Sequence, residues 1–299
     1  MKIIQSFWTK PFLQSADFLQ DSRLNGGWPA RKYNYFSWAL SCLQLSKFYD
    51  EVELVTDDLG KFILIDKLQL PYTSITVRLN EIDKYDATLW ALGKVYAYSL
   101  QETPFLHVDS DIFIWKKFDD RVSKAALMAQ NQECYSPEYA ITFNDICKKF
   151  PYMPKYLKKL QGSKYISCSN AGMIGGNDVD FFKTYTREIF NFIDENNESI
   201  KTNIKQINSS YLNVIYEQVI YDHLARKNKK KITYYFPEHK EVPKYLGFFH
   251  AADANSGIVH CLGTYKRNRL VYKLMEIKLK TLYPEYYHRI VNLVDSMEL

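Results

Sequence analysis

The chain has 299 residues, of which 46% are apolar and 24% charged, proportions that allow a sizeable core and exclude general disorder. Its net charge of +5 suits phosphorylated ligands or anionic surfaces, but lies in the ordinary solubility range and selects no partner. No window approaches the ~18 apolar residues of a membrane span, and "MKIIQSFWTKPFLQSADF" lacks the apolar stretch of a signal peptide.

The elements follow in chain order. "KIIQSFW" reads as a strand, "NYFSWALSCLQLSKFY" as a helix, "EVELVTD" as a strand and "LGKFILIDKLQL" as a helix. "TSITVRL" then reads as a strand, "ATLWALGKVYAYSLQ" as a helix and "PFLHVDSDIFIW" as one strand. Alternation of this kind predicts βαβ units on a mainly parallel α/β sheet, which binds ligands beyond the carboxyl ends of its strands. The polar residues there are Gln5 and Ser6, Thr56 to Asp58, and Asp109 to Asp111.

After residue 120, "KYISCSNAGMIGG" reads as a strand with a glycine turn. "DVDFFKTYTREIFNFIDEN" reads as a helix capped by Asn177 or Asp178, and "SSYLNVIYEQVIYDHLAR" as a second helix. "NKKKITYYF" adds a lysine run, read as a solvated loop, and a strand. "RLVYKLMEIKLKTLYPEYYHRIVNLVDSM" closes with helices, Leu270, Leu274, Ile277 and Leu282 being expected to cover the core. With no repeat or linker composition, a single continuous domain over 1–299 is expected.

Five scattered cysteines, Cys42, Cys134, Cys147, Cys168 and Cys261, form no zinc or redox spacing and read as reduced thiols of a cytoplasmic protein. The 24 tyrosines are expected mostly in packing, so none is singled out.

Three stretches carry chemistry. Asp109 and Asp111, two apart in extended chain, can converge on one hard cation, and two carboxylates inside "FLHVDSDIFIW" call for a positive partner. A second such triplet, Asp178 to Asp180, opens a helix and there stabilises the N-terminal dipole without a metal. In "HCLGTYK", His260 offers an imidazole to the same cation, Gly263 lets backbone pass close to a ligand, and Lys266 reaches a phosphate. A metal with a lysine is what a diphosphate leaving group needs as charge develops on it. In "CSNAGMIGGN", Asn170 and Gly172 can face a sugar-sized ligand; the same stretch also reads as a glycine turn before a helix. Neither G-x-G-x-x-G nor a Walker lysine occurs.

In that order, "FLHVDSDIFIW", "SNAGMIGGN", "YEQVIYDHL" and "HCLGTYK" resemble the D-x-D, N-x-G, D-Q and H-x-x-G-x-x-K motifs of GT-A fold glycosyltransferases of family 8, the glycogenin and lipopolysaccharide galactosyltransferase type. The resemblance implies a GT-A, Rossmann-like domain with a nucleotide-binding half (1–118) and an acceptor-side half (119–299), in which Asp109, Asp111 and His260 bind Mn²⁺ or Mg²⁺. It further implies that Lys266 contacts the diphosphate, that Asn170 and Gly172 face the donor sugar, and that Glu217 and Gln218 stand near the reacting carbon. Lys94 resembles a family lysine near the donor and also reads as an exposed helical lysine. The sequence departs from the family where Arg267 and Asn268, in place of Pro-Trp, follow Lys266, and where Glu217 replaces Asp.

The expected activity is metal-dependent transfer of a sugar from a nucleotide-diphosphate donor, a UDP-sugar, to a glycan, lipid-linked or peptide acceptor, with retention of configuration. Gln218, Glu217 and Lys266 are the catalytic candidates. Gln5, Ser6, Thr56 and Asp57 are expected to hold the base and ribose from topology alone, with Asp109, Ser110 and Gly263 also on the donor. No nucleic-acid partner and at most peripheral membrane association are expected. The alternatives are a sugar-nucleotide nucleotidyltransferase, against which "SFWTKPFLQ" lacks a glycine-rich signature, and a non-catalytic anion-binding protein.

Overall fold

The computed structural model describes residues 1–13, 24–133, 137–204, 206–237 and 257–299. β1 (Lys2–Phe7), β2 (Val52–Thr56) and β3 (Ser74–Val77) run parallel, with Ile3 opposite Val52 and Glu53 opposite Ser74. β4 (Phe105–Val108) and β5 (Ile112–Ile114) follow, then β6 (Leu127–Ala129) and β7 (Gln132–Glu133). The later strands are β8 (Cys168–Ser169), β9 (Met173–Gly176), β10 (Ile232–Tyr234) and β11 (Ile258–His260).

Seven of these strands form one mixed, mainly parallel sheet in the order β10-β6-β9-β4-β1-β2-β3, so the fold is α/β. β10 runs parallel to β6, and β6 antiparallel to β9. Two antiparallel pairs, β11 with β5 and β7 with β8, stand apart from that sheet. "PFLHVDSDIFIW", expected as one strand, is therefore two strands in two sheets. A turn in which Ile112 N donates to the Asp109 carbonyl at 3.1 Å separates them and carries Asp109 to Asp111.

The chain comprises two compact units, the first formed by Met1–Asp83, Val108–Phe118 and Lys240–Leu299, the second by Lys84–His107 and Asp119–His239. In the first, the helix Arg31–Phe48 is buried at every residue from Tyr33 to Leu45, as expected of a helix that is enclosed all round. Its Trp38 ring lies 4.9 Å from Phe7 of β1. In the second, Tyr98, Phe105, Phe182, Tyr185 and Tyr221 form an aromatic core, with ring separations such as 4.8 Å for Phe105 and Phe182. Packing of this kind absorbs many of the tyrosines, each ring adding edge or stacking contacts worth about 0.5–1.5 kcal/mol beyond burial.

Gly175 marks where β9 comes close to β4. A Cβ at this position would lie 2.1 Å from the Phe105 carbonyl oxygen, so only a residue without a side chain fits. The helix Val179–Glu195 starts at Asp178, whose carboxylate accepts from Phe181 N at 3.0 Å and also pairs with Lys230. The second acidic triplet is thus a helix cap.

The helix Ser209–Val214 continues through a π turn, Ile215–Val219, into Ile220–Lys227. The final helices are Arg269–Leu282 and Pro284–Asp295. On the first of them the expectation for the core-facing side fails. Val271, Met275 and Leu279 are buried, whereas Leu270, Ile277 and Leu282 are 65%, 56% and 45% exposed. Two apolar stripes share that helix, and hydrophobicity alone does not say which one packs. No helix of the described residues is long and apolar enough to cross a membrane.

Candidate metal and donor site

In the first unit, β11 lies antiparallel to β5 with His260 opposite Ile112, and Cys261 N donates to the Asp111 carbonyl at 3.0 Å. That ladder carries the imidazole back to the D-x-D turn across about half the chain. Asp109, Asp111 and His260 each present a ligand atom within 4.8 Å of the others. His260 Nε2 is 3.4 Å from Asp111 Oδ1, and Lys266 Nζ is 2.8 Å from Asp111 Oδ2. Asp111 and His260 are buried and Asp109 half-buried.

Burial alone would raise the Asp111 carboxyl, but the Lys266 ammonium and His260 outweigh it and hold the group well below the usual carboxylate range. Its Oδ1, enclosed and without a hydrogen bond of normal geometry, is aimed into the cluster. Two carboxylates, one of them with this orphaned oxygen, and one imidazole suit a hard or borderline divalent ion such as Mg²⁺ or Mn²⁺, so the residues fit a metal. Cys261 next door stays a thiol, because burial and Asp111 push its pKa far up.

The loop after β11 holds Lys266 in place. Gly263 adopts φ +53° with open space around its missing side chain, and starts the single-turn helix Gly263–Arg267. Lys266 Nζ also donates to the Gly26 carbonyl at 2.8 Å and lies 5.8 Å above the Trp28 ring. Gly26 itself has φ +63°, and a Cβ there would strike Asn34 Oδ1 at 2.4 Å. "NGGW" was missed in the sequence; its paired glycines after Asn25 were the available signal of a left-handed turn.

The positions expected to hold base and ribose belong to the same unit, and their polar groups are engaged within the fold. Gln5 lies inside β1 and is fully enclosed: Nε2 donates to Ser41 Oγ and the Val108 carbonyl, and Oε1 accepts from Tyr72. Thr56 is buried and donates to the Phe7 carbonyl at 2.7 Å. Asp57 caps the turn Asp58–Lys61 by accepting from Gly60 N, and its other oxygen takes Thr9 N and Oγ1. Burial pushes its pKa up against these bonds. Ser6 and Ser110 are half-buried, and the Ser110 carbonyl accepts from Ser37.

A second cluster lies in the second unit. Lys94 is 8% exposed, not an exposed helical lysine, and its Nζ reaches Glu217 Oε1 at 3.0 Å and the Ala171 carbonyl at 2.9 Å. Tyr98 donates to the same Glu217 oxygen at 3.2 Å. Glu217 and Gln218 sit in the π turn, an irregularity frequent at functional positions, and Gln218 Oε1 lies 3.8 Å from the Cys168 thiol.

Asn170 uses Oδ1 to accept from Gly172 N at 2.9 Å, and its Nδ2 donates to Glu133 at 2.8 Å. Glu133 also accepts from Tyr139 at 2.8 Å. Sequence reasoning missed Glu133; the polar run Gln130 to Glu133 directly after an apolar strand was the signal that could have found it.

Cys42, Cys147, Cys168 and Cys261 are free thiols, and Cys134 lies outside the described residues.

Residues 1–293 match the family described as "Family of unknown function (DUF6734)". No curated protein matches. Among solved structures, the chain is similar to the glycosyltransferase GlyE of Streptococcus pneumoniae TIGR4, with 12% sequence identity and a TM-score of 0.44. That alignment covers 99% of this chain and 63% of the other, so the chain spans less than two thirds of that protein's length.

Proposed function

Because the chain belongs to a family of unknown function (DUF6734), we propose its activity from the site itself: metal-dependent transfer of a sugar from a nucleotide-diphosphate donor to an acceptor hydroxyl. The observation that carries this reading is the meeting of Asp109, Asp111 and His260 around one point, with Lys266 2.8 Å from Asp111.

Asp109, Asp111 and His260 would hold the divalent ion, which supplies charge neutralisation for a diphosphate parting from carbon. Lys266 adds a fixed cation whose partners, Asp111 and the Gly26 carbonyl, orient it before any donor arrives. In the transfer, the bond from the anomeric carbon to the diphosphate oxygen breaks, the nucleoside diphosphate leaves with the electron pair, and the acceptor hydroxyl bonds to that carbon as it loses its proton.

The finer assignments belong to the same proposal. They are a UDP-sugar donor, retention of configuration, family 8 kinship, roles for Asn170, Gly172, Lys94, Glu217 and Gln218 toward the sugar, and Gln5, Ser6, Thr56 and Asp57 toward the nucleoside. A glycan, lipid-linked or peptide acceptor completes it.

The test is a thermal-shift screen of nucleoside diphosphates and sugar nucleotides with and without Mn²⁺ or Mg²⁺. A bound donor stabilises the fold by about 2.7 kcal/mol at a hundredfold excess over its dissociation constant. A shift that needs no metal, or that Asp111→Asn retains in full, overturns the reading.

A further inference from the structure

The stripe that hydrophobicity assigns to the core and the structure leaves in solvent calls for an occupant. On the helix Arg269–Leu282, residues 270, 274 and 277 fall on one side at 3.6 residues per turn. Leu270 is 65% exposed, Ile277 56% and Leu282, at the helix end, 45%, while Leu274 is half-buried. The opposite stripe, Val271, Met275 and Leu279, is buried and fixes the helix to the first unit.

Lys273 and Lys280 border the exposed stripe on one side and Lys278 on the other. From Arg267 to Leu282 the sequence has five basic residues (Arg267, Arg269, Lys273, Lys278, Lys280) and one acid, Glu276. The Lys278 and Lys280 ammonium groups lie over aromatic rings, 5.7 Å from Trp115 and 5.3 Å from Tyr287, and Lys273 pairs with Glu276 at 2.6 Å. Lys280 is exposed, and Lys273 and Lys278 are half-buried at the rim of the stripe.

We propose that this face lies on an anionic phospholipid surface, with Leu270 and Ile277 entering the headgroup boundary and the flanking lysines and arginines meeting lipid phosphates. An apolar stripe rimmed by cations matches such a surface in both hydrophobicity and charge. A second copy of the chain does not. A two-fold contact through this face would set its five basic residues against the same five of its partner. No helix of the described residues can cross a bilayer, so the attachment is parallel to the surface. The inference rests on exposure and charge alone, apart from the glycosyl-transfer reading.

The experiment is co-sedimentation of the full chain with vesicles of phosphatidylcholine alone and of phosphatidylcholine with roughly one-third phosphatidylglycerol, at low and high salt. Binding is expected only to the anionic vesicles and weakens as salt rises. Leu270→Ser/Ile277→Ser lowers the partition constant about tenfold or more. Lys278→Gln/Lys280→Gln lowers it about fivefold for each charge removed. All four positions lie outside the buried stripe, so melting temperature stays near that of the parent; should the serine pair unfold the chain, the glutamine pair carries the test. Equal binding to neutral vesicles, unchanged partition in both pairs, or a dimer that the serine pair abolishes without any vesicle binding would overturn the proposal.

Discussion

His260 Nε2 stands 3.4 Å from Asp111 Oδ1 because the β11 and β5 ladder sets residue 260 opposite residue 112. Backbone pairing, and not side-chain attraction, brings the two together. The imidazole position is therefore built before any ion binds.

Asp111→Asn keeps the shape of that cluster and removes its charge. Mn²⁺ titrated into the parent is expected to raise the melting temperature, and the same titration into the variant to leave it unchanged within error. The measurement is differential scanning fluorimetry with and without chelator, since a ligand that binds only the folded chain must stabilise it.

Lys266→Met is expected to separate metal from diphosphate. The Mn²⁺ shift should persist, because Asp109, Asp111 and His260 remain, while affinity for a nucleoside diphosphate measured calorimetrically falls by about tenfold or more, roughly 1.4 kcal/mol. Equal affinity in parent and variant would remove Lys266 from the donor site.

Lys94 and Glu217 form a buried ion pair with side chains 11% and 1% exposed. Breaking such a pair leaves one enclosed charge, so Glu217→Gln should cost about 3–5 kcal/mol in urea unfolding. Lys94→Met combined with Glu217→Leu should cost much less than the sum of the single changes, a coupling that a double-mutant cycle reads directly.

Gly175→Ala places a methyl group 2.1 Å from the Phe105 carbonyl. Strands in a sheet have little room to part, so the expected loss is about 3 kcal/mol or more. Urea unfolding is the check.

His223 is 8% exposed, and burial lowers its pKa below the ordinary histidine value despite the opposing Asp222 carboxylate. A base with a depressed folded pKa adds stability that is present above its unfolded pKa, near 6.5, and is lost as pH falls through the window below it. The parent should therefore lose up to about 1.4 kcal/mol per pH unit in that window, and His223→Gln should show a shallower slope in urea melts between neutral pH and pH about 5.

Much of the fold was legible because the pattern is local. "EVELVTD" and "NYFSWALSCLQLSKFY" carry their strand and helix in adjacent residues, and Asp178 announces its helix by its place before an apolar run. The turn splitting β4 from β5 was hidden, since "VDSDIF" alternates like one strand while the Asp109 carbonyl closes back on Ile112 N. The histidine and the lysine of the site could be picked out by type and spacing, but the Gly26 carbonyl under Lys266 could not, being 240 residues away. Burial of Lys94 was likewise unreadable: its partner Glu217 lies on another helix, and one lysine looks the same on either face. The helix Arg269–Leu282 misled because apolar side chains occupy both of its stripes.

The first unit draws on three separated stretches of chain, and its third begins only at Lys240. A ribosome making roughly 5–20 residues per second needs about 7–30 s to travel from Asp111 to His260. Through that interval β5 is without its strand neighbour and the two aspartates without their imidazole. The cluster of Asp109, Asp111 and His260 thus waits on a strand made about 150 residues after its two carboxylates, and a nascent chain halted before residue 260 lacks the imidazole of this triad.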